Sequence, residues 1–428
     1  MPIDSGVQAH LTEHYDKDIY DILFEDGKET SALLACCEMK QENEGLGRKY
    51  IQRVTTYEGA AVSEDPAIAD TIAADGAAGG RPTRSRWEIT ATGMDSTFKF
   101  DREEILAVEG LSPDKQFDVI TEEMDLAVTR LRNQLCQRVS EKGWGKLAVT
   151  TATSSTTITV DPEYCNRFPV GRRVVASVSE DTDVLLGTAA QLRVTAMNPK
   201  TGVITLSANP QSTWTNSQTL YIFAAGSRIA TDPGADQSVK TALSGLPAWL
   251  DPAGGVLFGQ TRAGDPNLCG FEIDATGLDT SQAFIHAGKI MFNFGRKCAD
   301  TIFVGGVTWE VLTRDLDPNK LTTVQVGDYK IGYDGFKVQT QLGSLTVLAD
   351  PFIEPGVAYV GPFMNKKHRP KLLYSGKNLV NLDNFDGKDF ERVTTSGARQ
   401  FKGQFFFRGQ LCIAGPGMYG KITNLPTS

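Results

Sequence analysis

Residues 112–143 read SPDKQFDVITEEMDLAVTRLRNQLCQRVSEKG, and this stretch decides the architecture. Ser112 is a good N-cap, Pro113 suits the first helical position, and Asp114 complements the helix dipole. Phe117, Ile120, Met124, Ala127, Leu131, Leu135 and Val139 then recur at steps of three and four, which places them on one continuous apolar stripe. Gly143 supplies the stop. At about 1.5 Å per residue the spacing predicts a rod of roughly 45 Å, long for a globular domain and suited to be a spine.

Ahead of the spine, Tyr50–Tyr57 and Arg86–Thr92 alternate as strands do. Between them, Glu58–Arg84 is rich in Ala, Gly, Asp and Thr, with almost nothing large to bury. Residues 48–103 therefore read as a long hairpin without a core of its own, which must be stabilised by lying on a neighbouring subunit. Glu58, Glu64 and Asp65 stand near its outgoing strand and Arg81, Arg84 and Arg86 at its return strand. Opposite charges can thus meet across a subunit boundary and set register more than affinity, which makes these six the candidate contact residues. Residues 1–47, mixed and polar with one weak apolar stretch at Ile19–Phe24, read as an extended arm, and residues 104–145 as the unit that carries the spine.

Beyond the spine, residues 146–226 turn to Thr, Val and Ser. Short runs (Thr156–Val160, Arg173–Val178, Leu192–Ala196, Val203–Leu206, Leu220–Phe223) are separated by turn signals at Asp161-Pro162, Asn198–Gly202 and Asn209-Pro210. About five strands in this space predict a small separate β-barrel or sandwich, inserted after the spine. A Gly/Asp linker, Thr231–Gln237, leads into a mixed body over residues 227–428. There Phe284, Ala287, Met291, Phe294 and Cys298 share a helical face, Thr301–Val304 is a short buried strand, and Trp309–Asp315 is helical. Lys337–Thr340, Ser344–Leu348 and Val357–Val360 read as strands, and Gln404–Ile413 as a strand that returns to the core. The fold class is α+β, without an internal repeat.

Composition narrows the function. With 40% hydrophobic and 22% charged residues in 428, the chain can build real cores and is neither disordered overall nor membrane-embedded. No apolar run approaches the ~20 residues a spanning helix needs, and Met1-Pro2-Ile3-Asp4 opens no signal peptide, so neither export nor a membrane partner is expected. A net charge of −9 is a poor match for phosphate backbones and argues against specific nucleic-acid binding. Seven cysteines, an odd number without a Cys-x-x-Cys pair, fit a reducing cytosol and read as buried, inert thiols.

The candidates for chemistry each fail on context. Gly415–Lys421 has the spacing of a phosphate-binding loop, but Ile422 replaces the magnesium-holding Ser/Thr and too little chain follows for the required helix. In Asn381–Asp389, aligning Gly387 with the sixth position of a calcium loop puts Leu382 at the first, where an oxygen ligand is needed. His10, His14, His286 and His368 are too scattered for a histidine metal site. No Gly-x-Ser-x-Gly elbow is present. The expectation is a protein without catalytic residues, cofactor or metal.

The order of elements resembles a known family. A polar arm, a long hairpin, a spine helix and a mixed body are similar to the Hong Kong 97-type major capsid proteins of tailed phages, a subset of which carries a β insertion after the spine. Gly245–Leu250 resembles the "Gly-Leu-x-Ala-Trp-Leu" phrase that follows that insertion, and Asp265–Gly270 the segment after it. Ile302–Trp309, Gly335–Val338 and Val347–Phe352 resemble elements of the axial domain. The resemblance implies a fold of N-arm, extended hairpin loop, spine-helix peripheral domain and axial domain with an inserted small β-barrel. It also implies a virion subunit, assembled in the host cytoplasm into hexamers and pentamers of an icosahedral shell that contacts packaged double-stranded DNA non-specifically. Portal and decoration proteins are implied partners, and a separate scaffolding protein as well, because no large helical segment precedes the short arm. An encapsulin-like cargo compartment is the first alternative, and a carbohydrate-binding or hydrolytic β-rich protein the second.

Overall fold

The computed structural model describes residues 31–41, 49–57, 83–101, 113–142, 145–154, 156–178, 186, 191–214, 219–225, 242–251, 255–262, 267–296, 298–315, 323–324, 335–376, 379–382, 391–392 and 400–427. The hairpin tip, the arm before Ser31, the linker Thr231–Gln237, His10, His14 and the stop residue Gly143 lie outside them. The spine is one helix of 27 residues, Pro113–Val139. Met124, Ala127, Leu131, Leu135 and Val139 on its stripe are at most 1% exposed. It ends ahead of Gly143, in a tighter turn where Ser140 N donates to Gln137 O and Glu141 N to Arg138 O.

Beneath the spine lies a sheet organised by one long strand, Gln400–Cys412. One edge of that strand pairs antiparallel with Thr92–Asp101, and the other takes Lys371–Tyr374, Asn381–Leu382 and Glu391–Arg392. Thr92–Asp101 turns Met94 and Phe98 inward while Asp95, Thr97 and Lys99 face out, so this part of the expected hairpin is a core strand. The expected arm also differs at its end. Ala32–Cys36 is a short helix, and Glu38–Gln41 pairs in parallel with Lys371–Tyr374. The physical reason is Asp350, fully buried, whose carboxylate accepts from the Ser31 hydroxyl and, at 2.9 Å, from Leu33 N. Those bonds fasten the helix start to the core and bury Leu33 and Leu34.

Six described strands close an antiparallel barrel, in the order Tyr221–Ala224, Lys146–Thr153, Thr157–Val160, Val203–Leu206, Leu192–Asn198, Arg173–Ser177. Lys146–Thr153 is the strand the turn signals did not mark. The barrel has its own core, with Leu147, Ile158, Phe168, Val194, Ile204, Trp214 and Ile222 at 0% exposure.

The remaining body is a seven-stranded mixed sheet in the order Phe271–Asp274, Gly420–Thr423, Ala358–Gly361, Thr301–Val304, Gly343–Ala349, Gly335–Thr340, Thr323–Val324. Helices Thr280–Asn293 and Gly306–Asp315 belong to this body. Phe284, Ala287 and Met291 are buried on the first, as expected. Phe294 is not: it is the C-cap, 61% exposed, and stacks on Phe271 at 4.7 Å between centroids. Cys298 lies beyond the helix and is half-buried. The phosphate-loop lookalike is a 3₁₀ turn, Pro416–Met418, running into a strand that contains Lys421.

Candidate assembly site

The hairpin is built by Lys49–Tyr57 and Thr83–Thr90, antiparallel, with Tyr50 opposite Ile89, Gln52 opposite Trp87 and Arg53 opposite Arg86. Alternation gives it two faces. The inner face carries Tyr50, Trp87 and Ile89, all buried, whereas Ile51 on the outer face is 61% exposed. The root therefore does have a core, contrary to the sequence expectation of a coreless hairpin. Trp87 meets Trp249 edge-on at 5.1 Å, and Trp249 meets Phe258 at 5.4 Å. Among the described residues no further strand joins the ribbon to extend its two-stranded sheet.

Two local devices hold this aromatic cluster. Trp249 sits on the short helix Leu246–Leu250, whose end is capped by the fully buried Arg262, donating to Ala248 O at 2.7 Å and to Trp249 O at 3.3 Å. Gly245, which begins that helix, lies against the spine's last turn: a Cβ there would meet the Arg138 and Glu141 carbonyl oxygens at 2.3 Å. Phe258 has φ 47°, left-handed and unusual for an aromatic residue, beside Gly259 at φ 78°. That conformation costs about 1–2 kcal/mol, and the burial of the Phe258 ring offsets it.

A polar junction ties the spine to the barrel. Arg138 and Glu141 pair at 2.8 Å with side chains 2% and 3% exposed, and Arg167 of the barrel stands 3.8 Å from Glu141. Arg167 also donates to Leu147 O at 3.2 Å and to Phe352 O at 2.8 Å. Arg172 donates to Gln137 Oε1 at 3.3 Å; burial, with Arg138 adding to it, pulls its guanidinium down to about 10. Lys146 and Glu354 add a pair at 3.1 Å between barrel and body. Beside this junction is a cleft of about 410 Å³ lined by Pro162, Tyr164, Arg167, Gly306, Pro351 and Ile353.

Of the six charged candidates, Glu58, Glu64, Asp65 and Arg81 lie outside the described residues. Arg84 stands opposite Thr55 in the return strand. Arg86 is exposed and pairs with Glu88 of its own strand at 3.0 Å. Sequence reasoning missed Trp87, Trp249 and Phe258 as the root's anchors. The signal was available in the alternation of Trp87 and Ile89, which are both large and two residues apart. His286 is half-buried on its helix, and no described cluster of three His, Cys, Asp or Glu is placed to hold a metal ion. No described helix is long and apolar enough to cross a membrane.

No protein-family model matches the chain, and no curated protein matches it in sequence. Among solved structures it is similar to the cyanophage A-1(L) capsid asymmetric unit, with 8% identity over 92% of this chain and 93% of that one and a TM-score of 0.46. It is similar to the holo-SrpI encapsulin complex from Synechococcus elongatus PCC 7942, with 6% identity, coverage of 91% and 86%, and a TM-score of 0.42. A structure from Mycobacterium phage Ogopogo gives 11% identity, coverage of 92% of each chain, and a TM-score of 0.42.

Proposed function

We propose that the chain is the major capsid protein of a tailed double-stranded DNA phage, a non-enzymatic subunit that tiles a closed icosahedral shell as hexamers and pentamers. One observation carries the reading. The hairpin leaves the body as a two-stranded ribbon whose root is locked in the core and whose outer face exposes Ile51. A two-stranded ribbon is marginal by itself in water, and a subunit that invests Trp87 and Ile89 in anchoring one has a use for what it reaches. In a shell that use is a clamp on the adjacent subunit. The spine supplies the stiff strut, the seven-stranded body the contacts around each capsomer axis, and the barrel a compact outgrowth. Scaffolding, portal and decoration proteins and non-specifically contacted DNA complete the assembly in the host cytoplasm and the virion.

The test is sedimentation of the full chain against a variant lacking residues 60–82, each produced alone and with the scaffolding protein of its own phage. The full chain should sediment as large closed particles and the deletion variant as folded subunits or isolated capsomers. Particles of normal size and heat resistance from the deletion variant would contradict the clamp.

A further inference from the structure

The short hairpin Val256–Thr261 does more than fill space beside the root. Its turn lies along the free edge of the return strand, where Glu88 N donates to Phe258 O at 3.3 Å and Gln260 Nε2 donates to Arg86 O at 2.7 Å. In the register of the ribbon, Glu88 faces Ile51 and Arg86 faces Arg53. The edge contact therefore covers the rungs from the root out to Arg53 and Arg86 and stops there. Beyond it comes a feature that weakens a ribbon: a register shift between Thr55 and Tyr57, which bends and twists the strand.

We propose that Val256–Thr261 is an edge clamp that holds the inner ribbon rigid on the body as far as the Arg53–Arg86 rung and moves its point of flexure outward, to the register shift between Thr55 and Tyr57. Resting on the shell reading above, this would let one chain present its ribbon at different angles in non-equivalent lattice positions without disturbing Trp87 or the spine. The clamp is itself locked from behind. Phe258 is 1% exposed against Trp249, and Arg262, one residue past the short hairpin, is pinned to the carbonyls of Ala248 and Trp249. Gly259 can be tested without steric confusion, because a Cβ there would meet nothing within 4 Å while its φ of 78° excludes a β-branched residue.

Amide hydrogen exchange on the soluble subunit tests the proposal. The wild type should show a step, with amides of residues 87–89 protected at least ten-fold more than those of residues 83–85. Gln260→Ala and Gly259→Val should each raise exchange at residues 87–89 at least ten-fold while peptides of the spine helix keep their rates. Uniform protection from residue 83 to 89, or unchanged exchange at residues 87–89 in both variants, overturns the clamp. Because the measurement needs no assembly, a subunit that shows the step but never forms particles retains the clamp and counts against the shell reading instead.

Discussion

Trp87 and Trp249 meet edge to face, ring centroids 5.1 Å apart at 67°, and neither is exposed. One ring belongs to the hairpin and the other to the segment that follows the barrel, so this contact joins parts of the chain over 160 residues apart in sequence. Trp87→Ala should cost about 3–5 kcal/mol through lost burial and the cavity left behind, read as a lower midpoint in urea unfolding of the subunit. A change within experimental error would mean that the root is not packed as described.

At the C-terminal end of the spine, Glu141 stands among Arg138, Arg167 and Arg172 and pairs with Arg138 at 2.8 Å. Glu141→Gln would leave the buried Arg138 guanidinium without its ion pair, and a loss of about 3–5 kcal/mol is expected. Thermal unfolding measures it, and a variant as stable as the parent would show that the arginines find other partners.

A pH effect is expected at Asp274. Hydrogen bonds from the Thr276 side chain, Asn424 and Thr276 N hold its carboxyl down at about 2. Because the folded value lies below the unfolded value of about 4, the stabilisation is present above about pH 4 and fades as pH falls toward 2. Asp274→Asn should therefore flatten the acid limb of the stability curve. An unchanged acid limb in the variant would dismiss the bonds as ornamental.

Burial also governs the thiols. It pushes Cys36 and Cys136 up to about 12 and raises Cys37 further, whereas Cys269 and Cys298 are only half-buried. In a thiol titration of the native subunit at pH 8, Cys269 and Cys298 should react before Cys36, Cys37 and Cys136, which should wait for denaturant. Early modification of Cys36 or Cys37 would contradict their place in the core.

Much of this arrangement was legible in the sequence, and the physical reason is periodicity. The spine's stripe from Met124 to Val139 repeats at the helical period over several turns, and the barrel's short runs alternate between firm turn signals. What escaped notice depends on distant partners. Glu38–Gln41 has no alternation of its own and becomes a strand because Asp350, more than 300 residues away, fastens the helix before it. Thr92–Asp101 is mostly polar and is recruited by the long strand Gln400–Cys412. Phe294 fitted the helical stripe by spacing, yet the helix stops at Asn293 and its ring is left outside. The candidate contacts were legible only as charges: Arg86 and Glu88, two apart on a strand, share a face and pair with each other.

The central claim is that this chain closes a shell by laying its hairpin on a neighbour, and a cryo-electron microscopy reconstruction of its purified particles tests it most directly. The account predicts icosahedral shells of hexamers and pentamers in which the ribbon beyond Arg53 and Arg86 rests on an adjacent subunit, with Ile51 covered. Particles in which the ribbon touches only its own subunit, or a protein that stays monomeric with its scaffolding partner present, would contradict it.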